Sequence, residues 1–287
     1  MIEQALYKHL RENEALAPYL ARYNGFPAVF NQKAADDSDA LWNSRTQYGR
    51  IVFAVDIQGD PERTMGGTLA VDIMCAEDGQ YAPEDVEPVV KSLIHGYFFS
   101  NGTFTVAAQW KNSAYFTEPT EHVAGCTVSF DLLGFPVLTT IEPDVIDRIN
   151  EWSSEIEGLH VINHDPLPET AWKPAGGESA IYWRVLSDEP AKWIPNTYQT
   201  IWRTATLKGH IFSEDHATAS VVARRLITAL YACKRLMKAG EAPIMVNTRN
   251  AADMGADALR TGQLTVEGTF GIIVSRGTGG TIDHVNY

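Results

Sequence analysis

A change of hydrophobic period within residues 68–97 constrains the fold of this chain more than any other feature. Apolar side chains first occupy every second position, at Leu69, Val71, Ile73 and Cys75, which is the period of a half-buried β-strand. Later apolar positions fall three or four residues apart, at Val86, Val89, Val90, Leu93, Ile94 and Tyr97. This spacing lines one face of a helix. With Asp85 as the N-cap, the stretch predicts a strand followed by an amphipathic helix.

A similar pattern of a strand followed by an amphipathic helix occurs again in residues 206–236. A strand-like run is followed by a helical stripe at Val222, Leu226, Leu230 and Cys233. Glu214-Asp215 occupies the corner that Glu77-Asp78 marks in the first copy, and residues 244–250 (IMVNTRN) resemble residues 106–112 (VAAQWKN). Thr265-Val266 then resembles Thr127-Val128. We interpret the repeated order strand, helix, strand, strand as a duplication, and a chance match between two αβ segments is the alternative.

The repeat predicts an α+β fold of two tandem similar units, each with a mainly antiparallel sheet and a packed amphipathic helix. At 287 residues the chain is long enough for two domains. We place the first at residues 1–139 and the second at residues 140–287. No run approaches the ~20 apolar residues of a membrane helix. The first residues lack the apolar core of a signal peptide, so we expect a protein that is made and used inside a cell.

The net charge of −13 opposes binding to nucleic acid through its phosphates, since that requires a basic surface. The charge is concentrated in the first half, which carries −9 over residues 1–139 against −4 over residues 140–287. An acidic surface that keeps the protein soluble explains this charge. A wall past which DNA must slide without binding would have the same sign.

Reactive side chains are not grouped in the ways that catalysis or cofactor binding requires. The turns that enter both long helices are acidic, which opposes a phosphate site. His160, His164 and Asp165 form the closest metal-like set, but they flank a Pro-rich loop that we interpret as solvated. The cysteines are odd in number and lie in apolar patterns typical of buried side chains: Cys75, Cys126 and Cys233. The sequence therefore predicts no catalytic residue, no metal, no cofactor and no enzyme activity.

Two polar stretches, residues 31–49 and 111–121, are predicted to be exposed loops. The first contains the acidic cluster Asp36, Asp37 and Asp39. Aromatic side chains in and beside strands can serve a core or a subunit contact equally, and Tyr115 and Trp193 are our candidates for a contact. These five residues are the predicted subunit-interface or lumen residues. The Gly-rich residues 276–287 are expected to be ordered only by a neighbour.

Taken together, the short leading helix, residues 27–30 (PAVF), 69–78 (LAVDIMCAED), 86–97 and 123–133 resemble the tail terminator, or tail completion, proteins of long-tailed bacteriophages. The resemblance covers the first unit and, more loosely, the second through residues 206–215 and 263–273. It implies a homo-oligomeric ring, usually a hexamer, that caps the tail tube in the virion and joins it to the head–tail connector or neck protein.

Further expectations follow from that resemblance. Genomic DNA would pass through the lumen of the ring without specific binding, and no membrane would be involved. Assembly would take place in the host cytoplasm. Members of the family are typically the size of one unit, so a duplicated chain leaves two ring counts open, six chains or three.

Other functions fit the same residues. Another virion ring protein, such as a tail tube or head–tail joining protein, would share the ring and the acidic lumen. A duplicated small-molecule-binding module would instead bind its ligand in a cleft between the halves. An enzyme would need a pocket with converging titratable groups.

Overall fold

The computed structural model describes residues 2–43, 47–58, 65–102, 104–140, 143–174, 176–237, 242–247, 251–252, 255 and 258–274. In chain order the helices are α1 (Ile2–Arg11), α2 (Pro83–Ile94), α3 (Val145–Ser154), α4 (His216–Cys233) and α5 (Ala258–Thr261). The strands are β1 (Arg22–Tyr23), β2 (Phe26–Pro27), β3 (Val29–Asn31), β4 (Arg50–Ile57), β5 (Met65–Ala76), β6 (Phe98–Ser100), β7 (Thr105–Glu118), β8 (Val123–Phe135), β9 (Leu159–Val161), β10 (Ala171–Trp172), β11 (Ser179–Pro190), β12 (Thr200–Ser213), β13 (Arg235–Leu236), β14 (Ile244–Val246), β15 (Ala251–Ala252) and β16 (Leu264–Ile273).

The chain has an α+β fold and divides into two compact units. The first unit comprises residues 1–136 and 167–173, and the second comprises residues 137–166 and 174–287. This division differs from the predicted domains because residues 167–173 belong with the first unit. Their strand β10 pairs with β6, and a two-residue edge strand carries no sequence pattern that reveals its partner.

The first unit is a seven-stranded sheet in the order β10-β6-β7-β8-β5-β4-β3. Its pairs are antiparallel except for β3 and β4, which run parallel. The alternation predicted for β5 is observed, with Leu69, Val71, Ile73 and Cys75 all buried. They pack in one core with α1 and with the buried stripe of α2.

Helix α2 begins before the position that the sequence suggests. Its N-cap is Ala82, not Asp85, and Pro83 takes the first helical position, where the missing N–H costs nothing. Asp85 still acts on the helix start, because its Oδ2 accepts a hydrogen bond from the N–H of Ala82 at 3.0 Å.

The second unit contains a sheet in the order β13-β14-β16-β12-β11-β9, and β15 also pairs with β16. Here β9 and β11 run parallel and the other pairs are antiparallel. Helices α3 and α4 contribute to its core, together with the fully buried Trp183, whose Nε1–H donates to Ser153 Oγ at 2.9 Å. Helix α3 is capped by Asp144, which accepts hydrogen bonds from the N–H groups of Ile146 and Asp147.

The two sheets share an order of strands. In the first sheet the order from β6, the strand that follows α2, is β6-β7-β8-β5-β4-β3. In the second sheet the order from β13, the strand that follows α4, is β13-β14-β16-β12-β11-β9. Thr127 Oγ1 donates to Asp72 on the neighbouring strand at 2.6 Å, and Lys208 Nζ donates to Thr265 Oγ1 at 2.8 Å. Asp72 is paired with Thr127 and Lys208 with Thr265, so the two bonds occupy corresponding places.

The predicted loop at residues 111–121 is largely strand. Strand β7 continues to Glu118 and stays paired with β8 as far as Val123, with a bulge between Trp110 and Asn112. The bulge frees Lys111, whose Nζ donates to the buried Asp131 carboxylate at 3.2 Å. Polar residues lie in this strand because its outer part faces solvent, so composition alone suggested a loop.

Two of the three cysteines are buried as predicted, and the third is not. Cys75 and Cys126 lie in the first core, whereas Cys233 is exposed at the end of α4, with its thiol near the carbonyl oxygen of Arg235. No helix in the described ranges is long and apolar enough to span a membrane. The predicted Gly-rich tail at residues 276–287 lies outside the described residues.

Candidate functional site

The acidic cluster lies in the loop that follows β3, and its carboxylates bind within their own unit. Asp36 Oδ1 accepts from both the N–H and the hydroxyl of Ser38, and these bonds lower the pKa of Asp36. Asp39 accepts from the N–H of Leu41 at 3.0 Å and from the Tyr23 hydroxyl at 2.8 Å. The cluster therefore shapes its loop through side-chain turns.

Asp37 begins a series of contacts that joins this loop to the turn between β7 and β8. Arg50 Nη1 lies 2.7 Å from Asp37 Oδ1, and the Arg50 guanidinium lies over the Tyr48 ring at 4.7 Å. The Tyr48 hydroxyl donates to Glu121 Oε2 at 2.8 Å. The two stretches that the sequence singled out as exposed thus meet at one end of the first unit.

The outer part of β7 is an open sheet edge. Strand β6 pairs with β7 only from Thr105 to Ala107. From residue 111 to residue 118, the part of the chain that the structure describes places no strand on this side of β7. Backbone N–H and C=O groups on such an edge are available to a strand from another chain.

Tyr115 lies on this open edge and is 52% exposed. Its hydroxyl lies near the Cys126 thiol, and burial raises the pKa of Cys126 to about 11. The neighbouring Phe116 ring covers Gly125 so closely that a Cβ on Gly125 would lie 2.2 Å from the ring. The open edge therefore carries two aromatic side chains that present apolar surface to solvent.

Carboxylates crowd the end of the first unit beside this edge. Strands β5 and β7 finish there and β8 begins there, because Ala76 and Glu118 are both paired with Val123. The carboxylates are exposed and come from the strand ends, the turns and the start of α2: Glu77, Asp78, Glu84, Asp85, Glu118 and Glu121. We call this set the acidic end.

A groove of about 950 Å³ lies in the second unit, at the β11–β12 turn and the C-terminal end of α4. Hydroxyl and amide groups of neighbouring strands line part of it. Thr204 Oγ1 lies 3.0 Å from Thr269 Oγ1, and Asn247 Nδ2 donates to Thr269 Oγ1 at 3.2 Å. Predicting this groove required the pairing of β11, β12, β14 and β16, which no local pattern reveals.

Trp193 lies on the rim of this groove and is 85% exposed. The β11–β12 turn that carries it is held in shape by hydrogen bonds. The N–H of Trp202 donates to Asn196 Oδ1 at 2.7 Å, and the N–H of Ala191 donates to the Trp202 carbonyl oxygen at 2.9 Å. A large aromatic side chain is thus held in solvent by an ordered turn, as at many protein-binding surfaces.

The buried titratable groups His210 and Cys75 are not among the described residues that line the groove. Burial lowers the pKa of His210 to about 4, and it raises the pKa of Cys75 to about 11. Among the residues that the structure describes, no group of three or more His, Cys, Asp or Glu side chains is placed to hold a metal ion.

Comparison of the chain with family models, with curated proteins and with solved structures yields no match.

Proposed function

We propose that this protein is a structural virion protein of the tail terminator class, which assembles as a ring, caps the tail tube and joins the tail to the head-side connector. The observation that carries the proposal is the open edge of β7 from residue 111 to residue 118, with Tyr115 and Phe116 exposed upon it. A ring covers such edges between neighbouring subunits, and an isolated subunit leaves them exposed.

The common strand order of the two sheets supports a duplicated architecture. Two sister units in one chain arise most simply by duplication of one ring-forming unit. A ring of six units then requires three chains, whereas a ring of six chains contains twelve units. We favour six chains because the resemblance to tail terminators implies a hexameric ring upon a sixfold tube.

The proposed partners follow from this placement. Each chain contacts other copies of the same chain around the ring. The ring contacts the tail tube protein on one side and the connector or neck protein on the other. Genomic DNA passes through its lumen without specific binding, which suits a chain of net charge −13. The protein would be assembled into particles in the host cytoplasm.

Mass photometry and negative-stain microscopy of the purified chain test this proposal. We expect closed rings with the mass of six chains, or of three if each unit fills one ring position. Tyr115→Lys should lower the ring fraction, because it places a charge on the apolar edge. Val221→Lys is the matched control, since Val221 is an exposed apolar residue on α4. A wild-type protein that remains a monomer at micromolar concentration would refute the ring.

Another virion ring protein, such as a tail tube or head–tail joining protein, would also form a ring. Binding separates these functions: a tail terminator binds the end of purified tail tubes, whereas a tube protein polymerises into a tube itself. Rings that polymerise without a cap would favour the tube protein.

A further inference from the structure

The groove of the second unit is bordered by basic side chains. Lys192, Lys234 and Arg235 line it and are exposed, and none of them forms an ion pair with a described residue. Two carboxylates, Glu189 and Glu267, also line it. Among the lining residues that the structure describes, the charged groups therefore sum to +1, in a chain whose net charge is −13. This local reversal of sign favours an acidic occupant.

The shape of the groove favours a protein occupant. It is open toward solvent, and its walls belong to the hydrogen-bonded β11–β12 connection and to the end of α4. Trp193 and Ile194 offer apolar surface on one wall, and the Thr204–Thr269–Asn247 hydrogen-bond network offers donors and acceptors. An exposed tryptophan beside polar groups and exposed cations is typical of a protein-binding hot spot.

The acidic end of the first unit complements this groove. It projects a β-turn between β7 and β8 together with the six carboxylates defined above. Asp78 and Glu118 form no side-chain hydrogen bond or ion pair with a described residue, so they are available to a partner. The acidic end also adjoins the open edge of β7, where Tyr115 and Phe116 supply apolar surface.

We propose that the groove of one chain receives the acidic end of a second copy, so that neighbours in the ring meet head to tail. This inference rests on the proposed ring. The two surfaces are different, and the contact is therefore heterologous, which is the kind of interface that builds rings when its rotation closes. The opposite charges set the register and speed association, while the aromatic side chains of both surfaces provide buried apolar contact.

A charge-reversal exchange tests the contact. The variant of the acidic end, which we call the tip variant, is Asp78→Lys/Glu118→Lys. The groove variant is Lys192→Glu/Arg235→Glu. Each variant places like charges opposite one another at the substituted positions and weakens the attraction between the two surfaces, so we expect the concentration for half-maximal ring formation to rise about tenfold or more. The controls carry the same change in net charge at other exposed positions: Glu12→Lys/Glu14→Lys and Lys33→Glu/Arg224→Glu. Circular dichroism checks that every variant is folded.

Mixing the two variants gives the decisive result. The two lysines introduced in one variant then face the two glutamates introduced in the other, and the two unaltered surfaces also match. We expect a 1:1 mixture to form rings in which the variants alternate, as measured by mass photometry and by native mass spectrometry.

Three outcomes would overturn the inference. If the tip and groove variants form rings as readily as the wild type, the ring stands but this contact does not. If rescue occurs only when all four changes are in one chain, the contact lies within a chain. If rings persist while binding to purified tail tubes is lost, the groove receives another virion protein. A wild-type chain that forms no ring refutes the proposed function itself.

Discussion

His210 is a buried histidine that is held neutral by the fold. The residue is 3% exposed, and its ring Nδ1 lies 2.7 Å from the Leu259 carbonyl oxygen, within hydrogen-bond distance. Burial is the main cause that lowers its pKa to about 4, and the positive charges of Arg184 and Lys208 act in the same direction. Protonation at mildly acidic pH would place a charge in this site, so the histidine makes the second unit sensitive to acid.

The contribution of His210 to the stability of the second unit should decrease as the pH falls. Because the folded-state pKa lies below the unfolded value of about 6.5, the stabilisation is complete above pH 6.5 and is lost as the pH falls toward 4. Between pH 7 and pH 5, we expect the free energy of unfolding of the second unit to fall by roughly 2 kcal/mol through this residue. Urea denaturation of the wild type and of His210→Gln at both pH values measures it. Equal losses in the two proteins would contradict the assignment.

The three aspartates of the acidic cluster make contacts within their own unit. Asp36, Asp37 and Asp39 stand out in the sequence as a charged group, and they were predicted to face a lumen or a partner. Each accepts a hydrogen bond or forms an ion pair within its own unit. Their role at a subunit contact stays a prediction, and their local role explains why aspartate, with its short side chain, occurs in this loop.

At the scale of elements, β5 and β8 approach each other through a pair of glycines. A Cβ on Gly134 would lie 2.9 Å from the Cα of Gly66, and a Cβ on Gly66 would lie 2.8 Å from the Cα of Gly134. These contacts are with backbone, so no side chain can swing away to relieve them. The bulge between Met65 and Gly67 lies at the same place and sets the register of β5.

We therefore expect Gly134→Ala to destabilise the first unit by roughly 1–3 kcal/mol, as overpacking commonly does. Gly176→Ala is the control, because its Cβ would meet nothing closer than 3.8 Å. Thermal denaturation followed by circular dichroism compares the two variants with the wild type. Equal melting temperatures for Gly134→Ala and the wild type would show that the strands can separate at no cost.

Strand β7 and its counterpart in the second unit differ in a way that matters for assembly. β7 pairs with β8 as far as Glu118, whereas in the described part of the second unit β14 pairs with β16 at Met245 and Val246, and β15 pairs with β16 at Ala251 and Ala252. The first unit therefore offers one long edge, and the second offers a groove. Similar topologies thus present different surfaces, which suits a head-to-tail contact.

At the scale of the whole molecule, charge should control assembly. The proposed contact joins exposed groups of opposite sign, and the screening length falls from about 10 Å at 0.1 M salt to about 3 Å at 1 M. We expect the ring fraction of the wild type to fall as NaCl rises from 50 to 500 mM, in about the range over which these charges become screened. Mass photometry at constant protein concentration measures the fraction.

The variant that carries both charge reversals in one chain is the control for this measurement. Its introduced lysines and glutamates restore pairs of opposite charge at the substituted positions, so its ring fraction should also fall with salt. A ring fraction that is unchanged or rises with salt would indicate an apolar interface in place of a charged one.

Local periodicity was enough to predict a strand and an amphipathic helix in each unit, although the predicted stripe of the first helix ran to Tyr97 and α2 ends at Ile94. Alternating apolar positions at residues 69–75 and the stripe at residues 86–94 require burial on one face, and that requirement is local. It was not enough to place residues 171–172 in the first sheet, to extend β7 through polar residues or to locate the groove. Those features depend on pairing between segments far apart in the chain, and the hydrogen bonds of a sheet edge leave no period in the sequence.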